Sequence, residues 1–227
     1  MELTLRSFVM KISKESINIL KNFASISNNL RIYPGSELAT LSPQQNIFAK
    51  AAVPDVFPVE VCVYNLNSLL ELFSYMTDQE VEFGTDSLKI TSNGSTFEYR
   101  YADPSVIIAP PAGKSIELDN HYQFVLSAAD VNLINKAIGI TAAENIIIQG
   151  GDGKVTLQVG DKAKSMKQSK ILGETSLEFT AILGVENFRV LPDTYTVTIS
   201  KKKFLHFKSE NREVPEYWLA LDPASVI

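Results

Sequence analysis

The chain repeats itself, and this limits the folds open to it more than any other feature. The run Phe8 to Ile12 is an apolar strand pattern. Ser13, Glu15 and an amphipathic stretch through Leu20 follow it. The run Tyr122 to Leu126, followed by Ser127, Asp130 and a second amphipathic stretch, reproduces that order, with Ile12 opposite Leu126. Serine is a good helix N-cap, and the acids suit the positive first turn. Leu30-Arg31-Ile32 before Pro34-Gly35 corresponds to Ile146-Ile147-Ile148 before Gly150-Gly151, each a strand entering a turn. Val59 to Val63 precedes a helical stretch from Asn65 to Met76, and Leu177 to Ile182 precedes a shorter one from Gly184 to Leu191. Each half closes with a hairpin. The first turns at Ser92-Asn93-Gly94-Ser95 and ends in Phe97 to Tyr101. The second turns near Lys201-Lys202-Lys203 and is followed by Tyr217 to Leu221. The halves end alike, in Ala102-Asp103-Pro104-Ser105 and Leu221-Asp222-Pro223-Ala224-Ser225.

The order within each half is strand, helix, strands, helix, strands. Alternation such as Val155, Leu157, Val159 suits antiparallel sheet with one wet face. The expectation is an α+β protein of two duplicated domains, each with antiparallel sheets and two helices. Residues 1–105 form the first domain, 106–120 a connector and 121–227 the second. Val106, Ile107 and Ile108 open the connector, and Pro110, Pro111 and Gly113 make it stiff and strand-poor. Three consecutive β-branched residues are unusual in a linker and suggest that it lies on an apolar surface.

Enzyme chemistry finds no foothold. Ala112-Gly113-Lys114-Ser115 ends like a phosphate-binding loop, but Ile108 stands where the first glycine is needed, and two prolines remove donors. Asn93-Gly94-Ser95 matches a glycosylation sequon, yet Asn-Gly between alternating strands is a tight hairpin turn. Gly150-Gly151-Asp152-Gly153 is likewise a turn, since a strand follows. His121, His206 and the lone Cys62 have no ligand spacing, so no metal or cofactor is expected. Cys62 makes no intrachain disulfide, which fits a reducing compartment rather than secretion. No stretch approaches the ~20 apolar residues that span a bilayer.

Net charge is −5, with 26 acids against 21 lysines and arginines. That argues against a simple basic nucleic-acid binder. The basic residues are nevertheless sorted. On the first helix, Lys14 to Ser25, Ile17, Leu20 and Ala24 with Phe23 form the expected buried face, and Lys14, Asn18, Lys21, Asn22 and Ser25 the outer one. Lys11 lies just before it. The third helix carries Asn132, Asn135 and Lys136 outward over Val131, Ile134 and Ala137. The fourth shows Asn187 and Arg189 against Val185 and Phe188. The second presents Asn67, Ser68, Glu71 and Tyr75. Lysines on one helix usually do no more than solvate it. Three helices with basic and amide outer faces in an acidic protein are what a surface for phosphates needs. A second cluster, Lys162, Lys164, Lys167 and Lys170, fits a solvated edge strand equally well.

The string Met10-Lys11-Ile12-Ser13-Lys14-Glu15 through Leu20-Lys21-Asn22-Phe23-Ala24 resembles the opening of the sliding clamps of T-even-type bacteriophages, which share their fold with proliferating cell nuclear antigen. Here nine residues precede it. Tyr64-Asn65-Leu66-Asn67, Ala102-Asp103-Pro104-Ser105-Val106 and Asn187-Phe188-Arg189 with Pro192 resemble later segments of that family. The resemblance implies a homotrimeric ring, helices lining a hole and sheets forming the rim. The ring encircles double-stranded DNA without sequence preference, is opened by a clamp-loader ATPase, and tethers the replicative polymerase through a C-terminal peptide. It implies no enzyme activity, a place in the host cytoplasm, and a link to late transcription. Carried over, the DNA-facing residues are Lys11, Lys14, Lys21, Lys136 and Arg189. Ile138-Gly139 stands where the family has a further basic residue, which implies a weaker positive lining there. The subunit interface would involve Phe97, Tyr99 and Tyr101 against a strand near Lys164 and Met166. The partner-peptide pocket would be framed by Val106, Ile107, Ile108, Leu219, Leu221 and Pro223. A duplicated β-rich viral structural or assembly protein is the alternative, and it would not need basic helix faces.

Overall fold

The computed structural model describes residues 8–76, 78–160 and 167–227. The chain divides into two compact units. One runs through Pro43 and from Lys50 to Lys114. The other takes Gln44–Ala49 and Ser115–Ile227. The division thus departs from a simple cut at the connector: a short piece of the first half belongs with the second unit, and the connector is shared at Lys114.

The first half runs β1 (Phe8–Met10), α1 (Lys14–Ala24), β2 (Leu30–Ile32), β3 (Gly35–Leu41), β4 (Ile47–Phe57, whose start belongs to the second unit), β5 (Val61–Val63), α2 (Leu66–Tyr75), β6 (Glu80–Phe83), β7 (Ser87–Ser92) and β8 (Ser95–Arg100). The second unit runs β9 (Tyr122–Leu126), α3 (Ala128–Thr141), β10 (Asn145–Gly151), β11 (Lys154–Val159), β12 (Gln168–Glu174), β13 (Phe179–Gly184), a 3-10 turn at Val185–Asn187, β14 (Tyr195–Ser200), β15 (Phe204–Ser209) and β16 (Glu216–Ala220). The repeat is visible in the sheets. Strand order β1-β6-β7-β8 in one unit matches β9-β14-β15-β16 in the other, and the pair β2-β5 matches β10-β13. These pairings are antiparallel throughout.

Turn chemistry fixes the register of the hairpins. Asn93 and Gly94 both have positive φ, 48° and 78°, between β7 and β8. Asp152 and Gly153 do the same, at 51° and 77°, between β10 and β11. Two consecutive left-handed residues give the turn whose twist matches paired strands.

The second unit departs from expectation. The fourth helix is only a three-residue 3-10 turn. Gly184 precedes it and Pro192 pushes Leu191 out of helical geometry, so too few residues remain to repay nucleation. Asn187, expected on an outer face, is buried, and its Oδ1 accepts from Asn46 Nδ2 at 2.9 Å.

On α1 the buried stripe is Ser16, Ile19, Leu20 and Phe23, at positions i, i+3, i+4 and i+7. Asn22 is buried as well, and Ile17 and Ala24 are only half-buried. The helix is therefore rotated from the expected face. Hydrogen bonding at its start explains the rotation: Ser13 Oγ donates to Asp55 Oδ2 at 2.7 Å and lies 3.0 Å from Ser16 Oγ, which draws Ser16 inward.

Beneath α1 and α2, Ile12, Leu20, Ile32, Phe57, Val61, Leu69, Phe73, Phe83 and Leu88 make a continuous apolar core. The second core gathers Leu126, Val131, Ile134, Ile146, Leu157 and Leu183. Tyr195 and Tyr217 are fully buried but keep their hydroxyls bonded around Leu191, through its carbonyl at 2.8 Å and its amide at 3.2 Å. The connector has no strand. It begins with a 3-10 turn at Pro104–Val106 capped by Asp103, and it buries Ile107 and Pro110. Tyr33 Oη donates to the Pro110 carbonyl at 3.3 Å.

Candidate nucleic-acid interface

Three helix starts are set by side-chain caps, which orient the outer faces. Ser13 Oγ accepts from the Ser16 amide at 3.1 Å, and the Asp55 carboxylate accepts from the Ser13 amide at 2.8 Å. Asn65 Oδ1 accepts from the Ser68 amide at 3.0 Å. At α3, Ser127 Oγ accepts from the Asp130 amide and Asp130 Oδ2 accepts from the Ser127 amide, at 3.2 and 3.1 Å, a reciprocal box. Asp130 also accepts from Lys170 Nζ of β12. Burial works against the charge on Asp130, but the hydrogen bonds from Lys170 and Ser127 outweigh it and hold the carboxyl below the usual carboxylate range.

With the starts fixed, α1 exposes Lys14, Asn18, Lys21 and Ser25, and α3 exposes Asn132, Asn135 and Lys136. Glu15 is the acid exposed on α1. The acid of α3, Asp130, is buried in its box. These faces can touch phosphates through long cations and amides and carry nothing to discriminate bases. Lys11 is exposed but committed: its Nζ donates to Asp78 Oδ1 at 2.5 Å, and that hydrogen bond and charge raise its pKa. Arg189 lies on the exposed chain after the 3-10 turn rather than on a helix, and its Nε donates to the Glu186 carbonyl at 3.0 Å. Of the five basic residues, the structure therefore puts three on α-helix faces, one in an ion pair and one on a loop.

Phe97 is exposed on β8, the terminal strand of its sheet. Tyr99 and Tyr101 are half-buried. Tyr99 Oη donates to the Asn65 carbonyl at 3.4 Å. The Tyr101 hydroxyl is enclosed with no partner among the described residues, and burial pushes its pKa up to about 12. Lys164 and Met166, with Lys162 of the second lysine cluster, lie outside the described residues.

Three of the expected pocket residues are buried. Leu219 is fully buried in β16 and Leu221, just past the strand, nearly so; Tyr217 and Trp218 are buried as well, so both faces of this strand are covered. Ile107 is buried too, where the connector lies down. Val106 and Ile108 are the exposed connector residues, and Pro223 is exposed with its carbonyl accepting from Lys203 Nζ at 2.8 Å. The sequence reasoning gave no role to the exposed apolar residues Leu133 and Ile140 of α3. A signal existed: α3 carries leucine or isoleucine on more than one face.

Among the described residues, no group of three His, Cys, Asp or Glu side chains could hold a metal ion. Cys62 is buried, and burial pushes its thiol pKa up, so it is a packed residue and not a nucleophile. No described helix is long and apolar enough to cross a membrane.

Two repeated α+β units with these sheet orders fall in the fold class of proliferating cell nuclear antigen. Proliferating cell nuclear antigen of Entamoeba histolytica matches with a TM-score of 0.69 at 15% identity, over 95% of this chain and 98% of that one. The Pseudomonas aeruginosa polymerase sliding clamp gives 0.69 at 12% identity, over 95% of this chain and 66% of that one. Both likenesses show the fold. Within that class, the DNA polymerase processivity factor family matches residues 13–109. The sliding clamp of Vibrio phage KVP40 is 29% identical over 199 residues, 84% of this chain and 90% of the relative. That of Enterobacteria phage T4 is 28% identical over 207 residues, 85% and 88%. The chain is similar to the phage sliding clamps, and the likeness supports their function for it, that of a non-enzymatic factor giving a DNA polymerase its processivity. That function implies DNA and polymerase binding, and the structural-protein alternative has no support.

Proposed function

We propose that the chain closes head to tail with two further copies into a ring around duplex DNA, with α1 and α3 toward the phosphates. The observation that carries this is the state of two terminal strands. Nearly every residue of β8 is exposed, and so is much of β12, on both faces. Unpaired edges of this kind are pairing templates, and closure into a ring removes them. The proposed seam brings Phe97, Tyr99 and Tyr101 of one copy to the β12 side of the next. The same seam would use the chain around Lys164 and Met166.

In the ring Lys14, Lys21 and Lys136 make weak, sequence-blind phosphate contacts, Arg189 adds one from a loop, and Lys11 contributes less because Asp78 holds it. Weakness is useful here. Topology prevents escape, and shallow contacts let the ring slide. A clamp-loader ATPase opens the seam. The polymerase docks through a C-terminal peptide, for which the exposed connector residues Val106 and Ile108 are the candidates in the first unit and Pro223 in the second. The ring acts in the host cytoplasm, where Cys62 stays reduced, and also serves late transcription. Sedimentation tests the assembly: a trimer mass at micromolar concentration is expected, and a monomer without loader-dependent retention on circular DNA overturns it.

A further inference from the structure

The second unit carries a cavity of about 570 Å³ that the proposed DNA contact and polymerase docking leave unused. It lies on one face of β9, β14 and β15, where strand pairing sets two rows of side chains. In one row Gln123 stands opposite Thr198, Thr198 opposite His206 and His206 opposite Trp218. In the next, Val125 stands opposite Thr196 and Thr196 opposite Lys208. Residues two apart on a strand share a face, so both rows look the same way. The first row is a floor. Thr198 is 3% and His206 2% exposed. Gln123 Nε2 donates to Thr198 Oγ1 at 2.9 Å, and His206 Nε2 lies 2.7 Å from Glu216 Oε1. The His206 ring rests on that of Trp218, with centroids 4.7 Å apart and planes 30° apart. Hydrogen bonds and ring packing thus hold a polar base in place.

The rim is charged. Lys208 and Arg212 line the cavity and are exposed, and neither makes an ion pair among the described residues. Glu210 is the one acid in the lining among the described residues, so cations outnumber acids here in a chain whose net charge is −5. Leu118, exposed at the edge of the cavity, adds an apolar wall, and exposed Val125 adds another beside it. This combination selects its occupant. A guanidinium and an ammonium hold a carboxylate, the guanidinium through two parallel hydrogen bonds. One excess positive charge suits one carboxylate better than a doubly charged phosphate, which Glu210 repels. A free ion needs neither a cavity of this length nor leucine and valine at its margin. A peptide that alternates acidic and apolar side chains uses all of these features.

We infer that this cavity is a docking site for an acidic peptide segment of a partner protein. Lys208 and Arg212 hold a carboxylate over the Thr198–His206 floor, and Leu118 and Val125 pack the apolar side chains next to it. Val106, Ile108 and Pro223, the candidates for the polymerase peptide, do not line it. The site is therefore separate from that docking and independent of the ring. It lets one copy hold a further factor while the polymerase stays docked.

The test uses the full chain and a synthetic peptide of alternating glutamate and leucine. Trp218 is the only tryptophan of the chain and lies on His206, so its emission reads the cavity floor. Titration should change that emission saturably, and calorimetry should show heat at the same midpoint. Lys208→Glu and Arg212→Glu should each weaken binding about tenfold, the loss of a charge-assisted hydrogen bond. Thermal midpoints should hold, since both residues are exposed. Glu210→Gln should tighten binding, and Val106→Ser with Ile108→Ser should leave it unchanged. A peptide with glutamine in place of glutamate that binds equally well overturns the inference, because charge then selects nothing. Displacement of the peptide by inorganic phosphate at equal concentration also overturns it and leaves a plain anion site. Loss of binding in the Val106 and Ile108 variant, with Lys208→Glu silent, moves the peptide to the connector and overturns the cavity. Neither heat nor a change in emission up to millimolar peptide overturns it as well. None of these outcomes bears on the ring.

Discussion

Asp130 does two jobs from one carboxylate. It closes the capping box of α3 and it accepts from Lys170, so the start of a proposed DNA-facing helix is tied to a terminal strand. Ser127→Ala removes the cap and should cost about 1 kcal/mol, or roughly 2–4 °C of thermal midpoint for a chain of this size. The pH dependence follows from the sign of the shift. A carboxyl whose folded pKa is depressed contributes stability that is present above its unfolded pKa and lost as pH falls through the folded one. The stability gap between wild type and Asp130→Asn should therefore be full at neutral pH and shrink on acidification below the ordinary carboxylate value. A gap that stays constant with pH, in urea titrations, would show that the carboxylate charge contributes nothing. The connector separates surface from core just as sharply. Leu219→Ala should cost ~2–5 kcal/mol, because it opens a cavity in a packed sheet. Val106→Ser with Ile108→Ser should leave the melting curve in place and weaken binding of the polymerase C-terminal peptide in a fluorescence-polarisation titration.

At the scale of elements, the proposed DNA contact rests on helix faces. Each exposed lysine that contacts a phosphate releases counterions, so its loss lowers the salt dependence of DNA retention by about one in the log–log slope. Lys14→Glu, Lys21→Glu and Lys136→Glu together should flatten that slope and impair loading at moderate salt, while far-ultraviolet circular dichroism stays unchanged. Lys11→Ala should change it less, since its charge is already shared with Asp78. How much of this could be read from the chain varies by element. The α1, α2 and α3 starts were legible because Ser13, Asn65 and Ser127 are strong caps before apolar periods. The hairpins were legible because Asn93-Gly94 and Asp152-Gly153 accept positive φ. The rotation of α1 was not, because it depends on Asp55, distant in sequence, bonding Ser13. Nor was the loss of the fourth helix, since its short amphipathic pattern looks helical until Asn187 is seen bonded to Asn46. Burial of Leu219 and Leu221 was hidden because the residue pattern of the last strand does not tell that packing covers both of its faces.

At the scale of the molecule, an excess of five negative charges and lysine-bearing helices act together. A chain this acidic gains little from simple adhesion to DNA. What holds it on DNA in the proposed ring is closure, and closure has a signature that affinity lacks. A protein held by contacts leaves linear and circular DNA at the same rate, and both rates rise with salt. A closed ring slides off a free end but stays on a circle, and salt changes this little. Loaded onto nicked circular DNA, the clamp should survive gel filtration at salt concentrations that strip ordinary phosphate binders. Cutting the circle once should then release it, and blocking both new ends with a bulky protein should prevent the release. The triple lysine variant, if it loads at all, should be retained on the circle like wild type, because its lesion is in contact and not in closure. A Phe97→Asp variant should be lost from the circle without any cut, because its lesion is in the proposed seam. Equal retention of wild type on circular and linear DNA would mean that contacts hold the protein, and the ring would have to be given up.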